Sequence, residues 1–127
     1  MAVAVLDAST EVDLVALETV KIYGWAGEHA VDVPLVEFLA DAGGAGSIRA
    51  VVSETARTAE LIVDAEVDPS MLAPAAWRLA GRGWSVTILV ALERVGEAHA
   101  GLRGVPCRLQ PWWFDGDDVV FGAHELP

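Results

Sequence analysis

The chain has 127 residues, of which 54% are hydrophobic, and its formal net charge is −11. This length suits one domain with a hydrophobic core and is too short for two ordinary ones, so residues 1–127 are predicted to form a single domain. Nucleic acid is excluded as a favoured partner, because thirteen acids against three basic residues in positions 1–68 would repel a phosphate backbone.

Cysteine usage and hydropathy exclude two further classes of protein. Cys107 is the only cysteine, which rules out an intrachain disulfide framework and a thiolate metal cluster. No apolar run approaches the roughly 18 residues needed to span a bilayer, and the first residues lack the basic region of a signal peptide. A cytoplasmic location without membrane contact is therefore predicted.

The first third of the chain contains short predicted elements. Residues 2–6 are apolar and predict a short strand. A helical stripe of apolar residues runs from position 12 to Gly24, behind capping residues at positions 9 and 10. The same stretch also alternates as a strand would, and its length favours the helix. Residues 24–33 are predicted to be irregular.

Strands and helices are predicted to alternate in the rest of the chain. Pro34 opens a short helix at 34–42, which the glycines of 43–46 stop. The later predicted elements are strand 48–53, a turn at 55–59, a strand from Glu60, helix 74–82, strand 86–92, helix 93–103, strand 105–114 and a strand at 119–122 after the Asp115-Gly116 turn.

This order predicts an α/β fold. Strand, helix, strand, helix and strand through residues 60–114 imply parallel neighbours with right-handed crossovers. The nearly unbroken apolar run at 86–92 is typical of a strand that is covered on both faces. The prediction is a mixed, mostly parallel sheet with helices on both faces and a C-terminal antiparallel hairpin.

A pentapeptide occurs twice. Leu-Val-Ala-Leu-Glu stands at 14–18 and again at 89–93, which would fit a degenerate duplication. In a chain so rich in these residues coincidence is favoured, because true repeats keep a fixed period.

An acidic row is the sharpest candidate for chemistry. Asp64, Glu66 and Asp68 alternate with apolar residues behind Glu60, so on a strand they would share one outer face. Such carboxylates could hold Mg²⁺, which predicts, as an alternative, a metal-dependent hydrolase acting on a phosphorylated small molecule. The competing interpretation is a solvated strand face, with Asp68 capping the next helix.

Aromatic residues are the other conspicuous feature. A ligand-binding or subunit-interface role is predicted for a set concentrated in the last hairpin: Trp25, Trp112, Trp113, Phe114 and Phe121. Core packing is predicted for Trp77 and Trp84.

No catalytic residue is predicted. His99 lies on an apolar helical stripe and is interpreted as a core histidine near the buried thiol of Cys107. The histidines lack zinc-site spacing, and no cofactor is predicted. The favoured function is a non-enzymatic, self-associating module that binds a small ligand or a basic protein partner and forms a homodimer through residues 112–121.

Overall fold

The computed structural model describes residues 8–39 and 48–127. The strand predicted at 2–6 and the glycine stop at 43–46 lie outside these residues. None of the described helices is long and apolar enough to cross a membrane.

Four helices and six strands make up the described chain. In order they are α1 (Ala8–Trp25), β1 (Val31–Pro34), α2 (Leu35–Phe38), β2 (Arg49–Ser53), β3 (Thr58–Ile62), α3 (Ala73–Gly81), β4 (Ser85–Ala91), α4 (Val95–Gly101), β5 (Arg108–Asp115) and β6 (Asp118–Phe121). Short 3-10 turns, Pro69–Leu72 and Leu92–Arg94, lead into α3 and α4.

The strands form one mixed sheet in the order β1-β2-β3-β4-β5-β6. The pairs β3/β4 and β4/β5 are parallel, as the helical crossovers predict, and β5/β6 is the expected antiparallel hairpin. The prediction of a mostly parallel sheet is wrong, because β1/β2 and β2/β3 are also antiparallel. The short turn at 54–57 between β2 and β3 is too short for a parallel crossover, and β1 arises within the stretch predicted to be irregular.

The arrangement of helices on the sheet also differs from the predicted one. Both crossover helices, α3 and α4, pack on one face of the sheet, together with α2. Strand order never reverses across β3, β4 and β5, and right-handed crossovers then place successive helices on the same side. Among the helices of the described residues, α1 is the one that covers the opposite face, over Val51, Ile62 and Leu89.

The stretch from position 12 to Gly24, for which both a helix and a strand were considered, is helical. Helix α1 runs continuously over Ala8–Trp25 and buries Val12, Val15 and Ala16 against the sheet, at helical spacing. By contrast, the helix predicted at 34–42 is only the single turn Leu35–Phe38 within the described residues.

The repeated pentapeptide adopts two different structures. Residues 14–18 are helical in α1, whereas Leu89, Val90 and Ala91 belong to strand β4 and the following two residues to a 3-10 turn. The recurrence is therefore not a structural repeat.

Candidate functional site

The three parallel strands each begin with the same pattern of polar, apolar and polar residues. The triplets are Thr58-Ala59-Glu60 in β3, Ser85-Val86-Thr87 in β4 and Arg108-Leu109-Gln110 in β5. The middle residue of each triplet packs in the cluster under α3 and α4. Alternation then turns the outer two towards the α1 face, where the register aligns Glu60, Thr87 and Arg108 in one row across the strands.

A cavity of about 660 Å³ lies at this polar end of the sheet. It is called the Glu60 pocket here, and its lining comprises Tyr23, Thr58, Glu60, Ala80, Trp84, Ser85, Val86, Thr87, Gly104, Val105, Pro106, Cys107, Arg108, His124, Leu126 and Pro127. An adjoining cavity of about 280 Å³ shares Tyr23, Glu60 and His124 with it and adds Gln110 and Phe121. A cavity with mainly apolar walls and a few convergent polar groups is the usual form of a small-molecule site.

Glu60 is the central ionisable group of the pocket. Burial raises its pKa from 4.5 to about 7, and a hydrogen bond from Tyr23 offsets part of that rise. The Tyr23 hydroxyl lies 2.7 Å from Thr58 Oγ1. Burial likewise raises the pKa of Tyr23 to about 12, so this hydroxyl keeps its proton at neutral pH.

Residues 122–127 form one wall of the pocket and are fastened to β5. The backbones of Leu109 and Glu125 exchange two hydrogen bonds of 2.7 Å. His124 Nε2 lies 3.1 Å from Gln110 Oε1, and the Gln110 amide nitrogen donates to the Gly122 carbonyl at 3.0 Å. These bonds hold His124 and Leu126 at the pocket.

The predicted acidic row does not form a strand face. Strand β3 ends at Ile62, and Asp64, Glu66 and Asp68 lie in the connection that follows. Asp64 Oδ1 accepts the backbone N–H of Glu66 at 2.8 Å. The backbone N–H of Ser70, 3.0 Å from Asp68 Oδ1, holds the pKa of Asp68 below its usual value, which is the predicted capping role.

Arg94 fastens the same connection to the start of α4. Its Nη1 donates to the carbonyl oxygens of Ala65 at 2.6 Å and Val67 at 2.8 Å, and more weakly to that of Asp64 at 3.3 Å. Its Nη2 lies 2.7 Å from Glu97 Oε2. Within residues 8–39 and 48–127 no group of three histidine, cysteine or acidic side chains is placed to hold a metal ion. The metal-dependent hydrolase gains no support from these contacts.

The predicted aromatic set is only partly brought together. Trp112 is buried under α1 with Phe114 and Phe121 packed against the same cluster, and its ring meets that of Phe114 edge to face at 5.7 Å. Trp113 is half-buried and absent from that cluster, as alternation requires. Trp25 is 76% exposed at the end of α1, outside the cluster. Of the set, Phe121 lines the cavity that shares Glu60.

Two predictions about core residues are wrong. Trp77 is 58% exposed, because the buried stripe of α3 runs through Ala75, Ala76 and Leu79 and leaves position 77 on the outer side. His99 is half-exposed, with Nε2 3.0 Å from Glu125 Oε1, instead of lying in the core. Cys107 is buried as predicted, and burial raises the pKa of its thiol to about 11.

Trp84 packs at the edge of the core beside the pocket. Its half-buried ring meets Phe38 edge to face at 5.2 Å. The Arg57 guanidinium lies 4.6 Å from the centre of the Trp84 ring and donates to the Arg82 carbonyl at 2.8 Å. Arg57 has a positive φ of 56°, and these contacts hold this unusual turn conformation beside the start of β4.

A separate cavity of about 520 Å³, called the second cavity here, lies beside the edge strand β1. Its walls include His29, Phe38 and the acids Glu37 and Glu54. The acids are compatible with the predicted basic partner, which stays a prediction.

Fold and site together define an α/β domain with a mixed sheet and, at the beginning of its parallel strands, a pocket in which a few polar groups lie between apolar walls. No protein-family model, curated protein or solved structure matches this chain. Its function therefore has to be argued from the site.

Sequence reasoning missed the pocket, although a signal for it was present. The sequence placed Glu60 only at the start of an acidic outer face, and it predicted no role for His124. The signal is the repeated polar, apolar, polar start of the three parallel strands, because alternation puts the outer residues of each triplet on one face of the sheet and the register brings Glu60, Thr87 and Arg108 into one row.

Proposed function

We propose that this protein is a non-enzymatic module that binds a small organic molecule in the Glu60 pocket. The observation that supports it is the cavity of about 660 Å³, in which Glu60, Tyr23, Thr58 and His124 converge between apolar walls. The non-enzymatic role is part of this proposal; the raised pKa of the Cys107 thiol, about 11, argues only against this one lining thiol as a nucleophile at neutral pH.

A fragment screen observed by NMR on the isotopically labelled protein tests this proposal. Ligands should shift the backbone signals of Tyr23, Glu60, Thr87 and His124 together and saturably. The variant Thr87→Phe, which places a ring in the pocket, should abolish those shifts. The matched variant Thr55→Phe, at the second cavity, should leave them unchanged. Hits that gather at the second cavity, or that survive Thr87→Phe, would contradict the proposal.

The proposal includes self-association at the hairpin. Strand β6 lies at an edge of the sheet, where one side of its backbone has no strand partner in the described chain. A homodimer through residues 112–121 would pair these edges about a two-fold axis. A cytoplasmic location is also part of the proposal.

A further inference from the structure

The floor of the Glu60 pocket carries an acid without a cationic partner. Glu60 is the acid shared by both adjoining cavities, and among the described residues none of the ion pairs involves it. Its polar neighbours in the pocket include the hydroxyls of Tyr23, Thr58 and Thr87. A largely buried carboxylate costs free energy unless a cation or several hydrogen bonds compensate it.

These neighbours discriminate between ligand charges. An anion would meet both the Glu60 carboxylate and a molecule of net charge −11. An ammonium group supplies the missing positive charge, and its three N–H donors match the carboxylate and the hydroxyl oxygens, which accept hydrogen bonds.

The basic residues at the pocket do not replace such a ligand. Arg108 is exposed and stands two strands away from Glu60 in the same row, which places their backbones roughly 10 Å apart. His124 is also exposed and is bonded to Gln110. Neither forms an ion pair with Glu60 in the structure.

Resting on the proposed function, we infer that the ligand is a small organic cation, whose protonated amino group binds the Glu60 carboxylate between the hydroxyls of Tyr23, Thr58 and Thr87. The inference concerns the chemical class of the ligand, and it can fail while the pocket remains a binding site.

The test compares three probes of nearly equal size at about pH 8, where Glu60 is ionised: n-butylammonium, 1-butanol and butyrate. In NMR titrations butylammonium should shift the signals of Tyr23, Glu60 and Thr87 saturably and bind at least about tenfold more tightly than butanol. Butyrate should not shift them.

Matched variants assign the effect to Glu60. Glu60→Gln should weaken butylammonium binding at least about tenfold, to the level of butanol, while Glu66→Gln, the same change in an exposed connection, should have no effect. The NMR spectrum of each variant verifies its fold. Should Glu60→Gln not fold, the wild-type protein provides the second test, since binding should weaken towards pH 5 as Glu60 takes up a proton.

The other titratable or charged side chains at the pocket are Tyr23, Glu28, Cys107, Arg108 and His124. Because His124 also lines the pocket, the pH titration is repeated on His124→Gln, which should keep the loss of binding. Equal binding of butanol or butyrate, cation binding that persists in Glu60→Gln, or no response to butylammonium would each overturn the inference. Only the failure of all ligands at this pocket would overturn the proposed function as well.

Discussion

Glu60 connects the stability of the protein to pH. In the unfolded chain its carboxyl ionises near pH 4.5, whereas in the fold it keeps its proton up to about pH 7. Between these values the folded state binds more protons than the unfolded state, so stability decreases as the pH rises. The difference between the two pKa values of Glu60 corresponds to about 3 kcal/mol of stability, which is fully lost only above pH 7.

Glu60→Gln should remove this pH dependence. We expect the free energy of unfolding of the wild type to fall relative to that of Glu60→Gln between pH 4.5 and about 7.5, and the variant to be the more stable protein at the upper end. Urea unfolding of both proteins at several pH values measures it. Glu66→Gln should keep the wild-type slope because Glu60 is still present, and parallel profiles for all three proteins would contradict the assignment.

Cys107 should react slowly in the folded protein. Burial raises its pKa from 9.0 to about 11, which lowers the thiolate fraction at neutral pH by about a hundredfold, and the side chain is only 7% exposed. Reaction with a chromogenic disulfide reagent should therefore be at least about a hundredfold slower in the native protein than in denaturant. As the only cysteine, Cys107 provides its own unfolded control. Similar rates in both states would show that the thiol is accessible.

At the scale of elements, Arg94 is expected to hold the connection between β3 and α3. It donates to two carbonyls of that connection at 2.6 and 2.8 Å while pairing with Glu97. Arg94→Ala should cost about 1.5–3 kcal/mol, since the hydrogen bonds that this charged group donates to exposed and part-buried carbonyls are lost. Arg103→Ala, at an exposed position, is the control and should change stability by less than about 0.5 kcal/mol. Equal costs from chemical denaturation would contradict this role.

The inward face of helix α3 is expected to contribute to the stability of the protein. Leu72, Ala76 and Leu79 are buried and Arg78 and Arg82 exposed, as the helical spacing predicts. Leu79→Ala should cost ~2–5 kcal/mol, because it leaves a cavity beneath the helix. Arg82→Ala should cost less than about 0.5 kcal/mol, since its carbonyl bond to Arg57 is retained. Denaturation midpoints of both variants measure the difference, and comparable small effects would show that the face carries little packing energy.

At the scale of the whole molecule, we expect a homodimer built on the β6 edge. Sedimentation at micromolar concentration should show a species of twice the 13.4 kDa chain. Trp113→Ala should weaken the dimer about 30-fold or more, as truncating a tryptophan at the centre of an interface costs about 2 kcal/mol or more.

Trp77→Ala is the matched control for the dimer. Trp77 is 58% exposed on α3, away from the hairpin, so its removal should leave the dimer intact. A monomer alone, or a dimer that Trp113→Ala does not weaken, would refute the β6 interface.

The pocket was less predictable than the elements. The spacing of apolar residues in the sequence predicted α1, α3, β4 and the hairpin, because this spacing depends only on residues a few positions apart. It could not place Glu60, whose environment depends on Tyr23 and His124, far away in sequence. The prediction that the acidic row forms a strand face was wrong for a related reason. The alternation continues beyond Ile62, but Asp64 turns the chain by accepting two backbone N–H groups.

The sequence by itself determined the α/β class, the two parallel pairs and the final antiparallel hairpin, since crossover and turn lengths constrain neighbouring strands. Only the tertiary structure decided the rest. Leu-Val-Ala-Leu-Glu is helical at 14–18, on the surface of the sheet, whereas its second copy begins within the buried strand β4 at Leu89. Local propensity is the same for both copies, so partners distant in sequence select the structure, and the same distant partners bury Glu60.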